Sequence, residues 1–68
     1  MILYRLLTGP DDSSFCHKVT AALNSGWTLS GAPAYAFDAA SGQMRCAQAV
    51  TKQVDGEEYD PSIKLGER

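Results

Sequence analysis

The segment TGPDDSSFCHKVTAALNSGW, residues 8–27, decides the fold because it contains a helix together with its start and stop signals. Two acidic residues follow Pro10, and the free N–H groups at a helix N-terminus favour negative charge there. An apolar stripe with helical spacing follows, formed by Phe15, Val19, Ala22 and Leu23. Gly26 then stands where a left-handed residue often ends a helix. These features predict a helix from about residue 11 to residue 25.

Alternating apolar residues on either side of this helix predict three strands. The three segments are ILYRLLT (residues 2–8), AYAFD (34–38) and QMRCAQAVTKQV (43–54). Small side chains at Ala47 and Ala49 allow close contact, so we expect the third strand in the middle of the sheet. The sequence therefore predicts an α+β fold of order β-α-β-β, with one helix packed on a three-stranded, mostly antiparallel sheet.

Length and charge predict one domain followed by an acidic tail. The chain has 68 residues and a formal net charge of -2. Residues 55–68 contain five acidic and two basic residues, and we expect this tail to be mostly disordered. Residues 1–54 then form the domain. The acidic balance makes nucleic acid an improbable partner.

The first residues also bear on the compartment. The apolar opening MILYRLL contains Arg5 and is too short for a signal peptide or for a membrane span. We therefore expect a cytoplasmic protein that does not enter a membrane. In that compartment the two cysteines are expected to be reduced thiols.

An excess of apolar residues predicts an interaction surface. One helix covers one face of a small sheet, so either Leu3 and Leu7 or Tyr4 and Leu6 must lie on the other face. Tyr35 and Phe37, whose strand neighbours are alanines, are candidates for that same open face. Exposed apolar patches usually mark interfaces, and two copies can bury such faces in a homodimer. The candidate interface residues are Leu3, Leu7, Tyr35 and Phe37.

The adjacent pair Cys16 and His17 is the other chemical feature of the helix segment. Helix neighbours point about 100° apart, whereas residues that share a metal are spaced i, i+3 or i, i+4. A nucleophilic cysteine needs its base within hydrogen-bond reach. Structural zinc requires four ligands, and the chain has two Cys and one His. We therefore predict no catalytic residue, no metal site and no cofactor, with His17 exposed and the protein not an enzyme.

The leading function hypothesis is a non-enzymatic protein-interaction module that self-associates through the open sheet face. Two alternatives stay open beside it. The first is a regulator that binds a small ligand or a metal through Cys16, His17, Trp27 or Cys46, including a metal shared by two subunits. The simpler interpretation of Trp27 is that it caps the core where helix meets strand. The second alternative is a weak RNA-binding sheet with Arg5 and Arg45 side by side.

Three segments, YRLLTGPDD, FCHKVTAALNSGW and AQAVTK, also resemble a known family. They match the pattern of the bacterial domain of unknown function 1737, and the similarity runs from about residue 3 to residue 54. The resemblance implies a small bacterial cytoplasmic protein and implies no reaction. Its pattern includes Cys16 and His17, which keeps a role for that pair open.

Overall fold

The computed structural model describes residues 1–56 and 61–62, and this part of the chain contains one helix and four antiparallel strands. The elements in chain order are β1 (Ile2–Pro10), α1 (Ser13–Asn24), β2 (Thr28–Leu29), β3 (Ala34–Asp38) and β4 (Gln43–Gln53). The α+β class is confirmed, but the three-strand count is wrong because Thr28–Leu29 pair as a separate short strand. Most of the tail for which disorder is predicted, residues 57–60 and 63–68, lies outside the described residues.

The long strand β4 lies in the middle of the sheet, as its alanines predict. Strand β1 pairs with it without interruption from Ile2 opposite Gln53 to Pro10 opposite Arg45. Strands β2 and β3 both pair with the other side of β4. Residues 30–33 lie between them opposite only two residues of β4, so this second edge of the sheet bends.

Helix α1 begins and ends where local hydrogen bonds require it. The Asp12 carboxylate accepts the Ser14 N–H at 2.9 Å and also the Ser14 hydroxyl. These hydrogen bonds hold the pKa of Asp12 below its usual value, and the bond from the hydroxyl has the larger effect. At the other end Gly26 has a φ of 94°, and the Lys52 ammonium donates to the Ser25 carbonyl at 2.9 Å. The helix is shorter than predicted because Asp12 serves as its N-cap.

The core lies between α1 and the sheet. Its buried apolar side chains are Leu3, Leu7, Phe15, Ala22, Trp27 and Val50. Leu23, which the predicted stripe includes, is exposed instead. Consecutive helix residues are about 100° apart, so a helix that buries Ala22 turns Leu23 toward its flank.

Candidate interaction surface

Exposed apolar side chains of β1 form a ridge on the sheet face opposite α1. Side chains alternate between the two faces of a strand, and burial follows that alternation here. The even-numbered residues Ile2, Tyr4 and Leu6 are 68%, 56% and 54% exposed. We call these three residues the β1 ridge. Three large apolar side chains are thus in contact with solvent along one strand.

A floor of alanines lies beside the ridge. Residues directly opposite in neighbouring strands share a face, which puts Ala49, opposite Leu6, on the open face. The same reasoning extends the floor across β4 and β3. The alanine floor consists of Ala34, Ala36, Ala47 and Ala49. The open face therefore has large apolar side chains on β1, alanines beside Leu6, and the polar residues Thr51 and Gln53 beside Tyr4 and Ile2.

The apolar area of the open face ends at the β3–β4 hairpin, where polar side chains lie. The Arg45 guanidinium lies 3.8 Å from the Asp38 carboxylate. The Asp38 carboxylate accepts hydrogen bonds from the Ser41 hydroxyl and from the Ala40 N–H, each 3.0 Å long. Both bonds hold the pKa of Asp38 below its usual value, and the bond from Ser41 has the larger effect. Asp38 is thus charged at neutral pH. An apolar centre with a polar rim is the usual anatomy of a protein–protein interface.

The structure corrects the first choice of interface residues in β1. Leu3 and Leu7 lie in the core, because β1 turns its odd-numbered side chains toward α1. The alternative pair Tyr4 and Leu6 is the one on the open face. Both sets of β1 side chains are apolar, so the strand pattern alone does not distinguish the two faces.

Tyr35 and Phe37 are exposed as expected, but they lie on the other face of the sheet. Their partners in β4 are Cys46 and Met44, which point to the same side as the core residue Val50. They are exposed there because α1, which covers the other strands on that face, makes no contact with β3. The Tyr35 hydroxyl donates to the Asp11 carboxylate just before the helix starts.

Cys16 and His17 both lie on exposed positions of α1. The described residues contain no group of three or more Cys, His, Asp or Glu side chains that could hold a metal. Cys16 lines a shallow groove of about 340 Å³ between α1 and β2, whose other apolar walls include Phe15, Leu29 and Pro33. His17 is not among the residues that line this groove.

Trp27 is a core residue rather than a ligand platform. It is 3% exposed and packs with Leu3, Leu7, Ala22 and Val50. Its ring lies beneath two cations, with the Arg5 guanidinium 5.3 Å and the Lys52 ammonium 5.9 Å from the ring centre. Arg5 therefore points toward the core side, whereas Arg45 opposite Pro10 points to the open face. The side-by-side arginines of the RNA hypothesis are not formed.

A polar cluster that the sequence reasoning missed lies at the start of α1. The Asp11 carboxylate accepts the Tyr35 hydroxyl and lies 4.0 Å from the Cys46 thiol. This hydrogen bond raises the pKa of Tyr35. Desolvation raises the pKa of Cys46 most, and the negative charge of Asp11 raises it further. The residues are 24 and 35 positions apart in sequence, and no local pattern joins them.

Replacing Asp11 with asparagine is expected to make Cys46 react faster with iodoacetamide near pH 8. The substitution removes a negative charge, so the pKa of the Cys46 thiol falls and its thiolate fraction rises. Peptide mapping by mass spectrometry reports each cysteine separately. Asp55→Asn, with the same charge change at the far end of β4, is the control and should leave the rate at Cys46 unchanged. If Cys46 reacted at the same rate in the Asp11 and Asp55 variants, the charge of Asp11 would not be what raises the pKa of Cys46.

The fold and this surface define a small α+β domain with an apolar sheet face in contact with solvent. Residues 1–53 match the family described as Domain of unknown function (DUF1737), and the chain belongs to that family. The match confirms the resemblance seen in the sequence. No curated protein and no solved structure matches the chain. Within the described residues, no helix has the length and apolar character needed to cross a membrane.

Proposed function

We propose that the protein is a non-enzymatic interaction module that forms a homodimer through the open face of its sheet. The β1 ridge carries this proposal, because it exposes three large apolar side chains along one strand of a chain of 68 residues. Large exposed apolar side chains of this kind are suited to binding a partner by burial of apolar surface. A bacterial cytoplasmic setting belongs to the same proposal and rests on the family resemblance and the two free cysteines.

The small size of the domain is a second argument that another subunit covers this face. A core of this size supplies only about 3–5 kcal/mol of stability, so subunit contacts add a substantial share. Contact between the ridges of two copies removes apolar surface from water, which favours association. Because each ridge has only three side chains, we expect a weak dimer whose population rises with protein concentration.

Light scattering on a sizing column, at several protein concentrations, tests the proposal. We expect the mass to rise from monomer toward dimer with concentration, and Leu6→Asp to remain monomeric because it places a charge in the ridge. Phe37→Asp is the matched control, since Phe37 is 63% exposed but lies on the other face. That variant should dimerise like the unsubstituted chain.

Two results would contradict the proposal. The first is a monomer at every concentration, and the second is a Leu6→Asp variant that dimerises as well as Phe37→Asp. Repeating the measurement with EDTA separates a further case. A dimer that EDTA dissociates would indicate a metal shared between subunits through Cys16, His17 and Cys46.

A further inference from the structure

The hydrogen bonds of β1 show which of its backbone groups face away from the sheet. Met1 and Val54 exchange two bonds, N to O, of 3.0 and 2.8 Å. In an antiparallel pair such residues alternate with residues whose N–H and C=O groups point outward. The outward positions are therefore the even-numbered ones, Ile2, Tyr4, Leu6 and Thr8. The Lys18 ammonium, which donates to the Thr8 carbonyl at 2.7 Å, occupies this outer side.

The outer edge of β1 is thus a row of backbone groups without partners over the ridge itself. Within residues 1–56 and 61–62, β4 is the only strand beside β1, and no hydrogen bond reaches the outward groups of Ile2, Tyr4 or Leu6. The row ends at Thr8, whose carbonyl is occupied by Lys18, and at Pro10, which has no N–H. The same three residues supply exposed apolar side chains and free backbone groups.

The opposite edge of the sheet is less suited to adding a strand. It bends between β2 and β3, where residues 30–33 contain Gly31, with a φ of 77°, and Pro33. Strand β3 has only five residues, and β2 has two. Straight, unbulged edges such as that of β1 are the ones on which strands pair.

We propose that two copies of the chain pair through β1, antiparallel, about a two-fold axis at Tyr4. This inference rests on the proposed self-association and places it at the β1 edge of the open face. The two open faces would then lie side by side on one continuous sheet and touch along their ridges. Tyr4 then faces Tyr4 of the partner subunit, and Ile2 faces Leu6 of the partner subunit. Each such pair exchanges two backbone hydrogen bonds, and the two ridges meet as cross-strand side-chain pairs.

The free groups select both the occupant and the register. Their row is centred on Tyr4, so a second copy turned by half a revolution presents matching donors and acceptors. A register centred on Leu6 would instead pair Ile2 with Pro10, which has no N–H, and Tyr4 with Thr8, whose carbonyl is held by Lys18. The Tyr4-centred pairing is the two-fold register in which Ile2, Tyr4 and Leu6 all pair, and all with free groups.

Two proline variants test whether the chains pair through the outer edge of β1. Tyr4→Pro and Thr8→Pro each remove an outward N–H that β4 does not use, and edge strands tolerate proline at such positions. We expect Tyr4→Pro to weaken dimerisation at least about tenfold, as one missing bonded pair implies, and Thr8→Pro to match the unsubstituted chain. Tyr4→Thr, which keeps the N–H and loses the ring, should dimerise better than Tyr4→Pro. Circular dichroism confirms that each variant is folded.

Cross-linking provides a second measurement that does not depend on the proline variants folding. In a background of Cys16→Ser and Cys46→Ser, Tyr4→Cys should form a disulfide-linked dimer on mild oxidation, because facing Cα atoms of a bonded pair are about 5.5 Å apart. Leu6→Cys should not, since two copies of residue 6 would be roughly 13 Å apart along the strands. A Leu6→Cys link without a Tyr4→Cys link would overturn the Tyr4-centred register.

The two proposals fail in different ways. If Leu6→Asp abolishes the dimer while Tyr4→Pro leaves it intact, the open face mediates association and the β1 edge does not. If Tyr4→Pro and Thr8→Pro weaken the dimer equally, the register is wrong. A chain that stays monomeric at all concentrations overturns both proposals.

Discussion

Replacing Trp27 with alanine is expected to lower the free energy of unfolding by about 3–5 kcal/mol, the usual cost of truncating a buried tryptophan. Trp27 is 3% exposed and contacts core residues from β1, α1 and β4. Its ring also holds the cations of Arg5 and Lys52, which would lose their aromatic partner. Because the whole domain has only about that much stability, the variant should be largely unfolded.

Urea denaturation followed by circular dichroism measures this effect. Trp27→Phe is the control, because it keeps an aromatic ring in the core and should retain a cooperative transition at a lower midpoint. If Trp27→Ala lost less than about 1 kcal/mol, the assignment of Trp27 to the centre of the core would be wrong.

Leu7→Asp is expected to unfold the domain, whereas Leu6→Asp, one residue earlier, should leave it folded. Leu7 is buried in the core and Leu6 is on the open face. A carboxylate at position 7 would lose the apolar burial and also face the core without a hydrogen-bond partner, at a combined cost on the order of 5 kcal/mol. At position 6 the carboxylate stays in water.

Far-ultraviolet circular dichroism and a thermal melt of both variants, at a concentration where the chain is monomeric, check this contrast. Low concentration matters because Leu6→Asp is also expected to disrupt the dimer. Similar melting curves for the two variants would contradict the alternation of burial along β1. A folded Leu7→Asp with an unfolded Leu6→Asp would reverse the assignment of faces.

The parts of the fold that local signals determine could be predicted from the sequence. Helix α1 was predictable because its acidic start, its apolar stripe and Gly26 all lie within one short segment. Strand β2 was not, because two paired residues leave no period to detect. Its pairing with β4 depends on contacts between Thr28 and Thr51, which are distant in sequence.

The candidate site was predictable as a kind of surface but not residue by residue. Strand β1 has apolar side chains on both faces, so only the position of α1 shows that the ridge is exposed and Leu3 is buried. The face of Tyr35 and Phe37 depends on the path of residues 30–33, where the alternation is interrupted. The contacts of Asp11 with Tyr35 and Cys46 depend entirely on tertiary structure.

The bent β2–β3 edge has a consequence for how far assembly can proceed. A sheet with two straight edges can add chains indefinitely and grow into fibrils. In the proposed dimer, pairing through β1 would follow a two-fold axis, so the straight edges of both copies would be used and none would remain for a third chain. The outer edges of such a dimer would be the two β2–β3 edges. Each contains Gly31 and Pro33 in the segment where the edge bends. In the proposed dimer, the bend between β2 and β3 would thus stop further strand addition and limit the assembly to two chains.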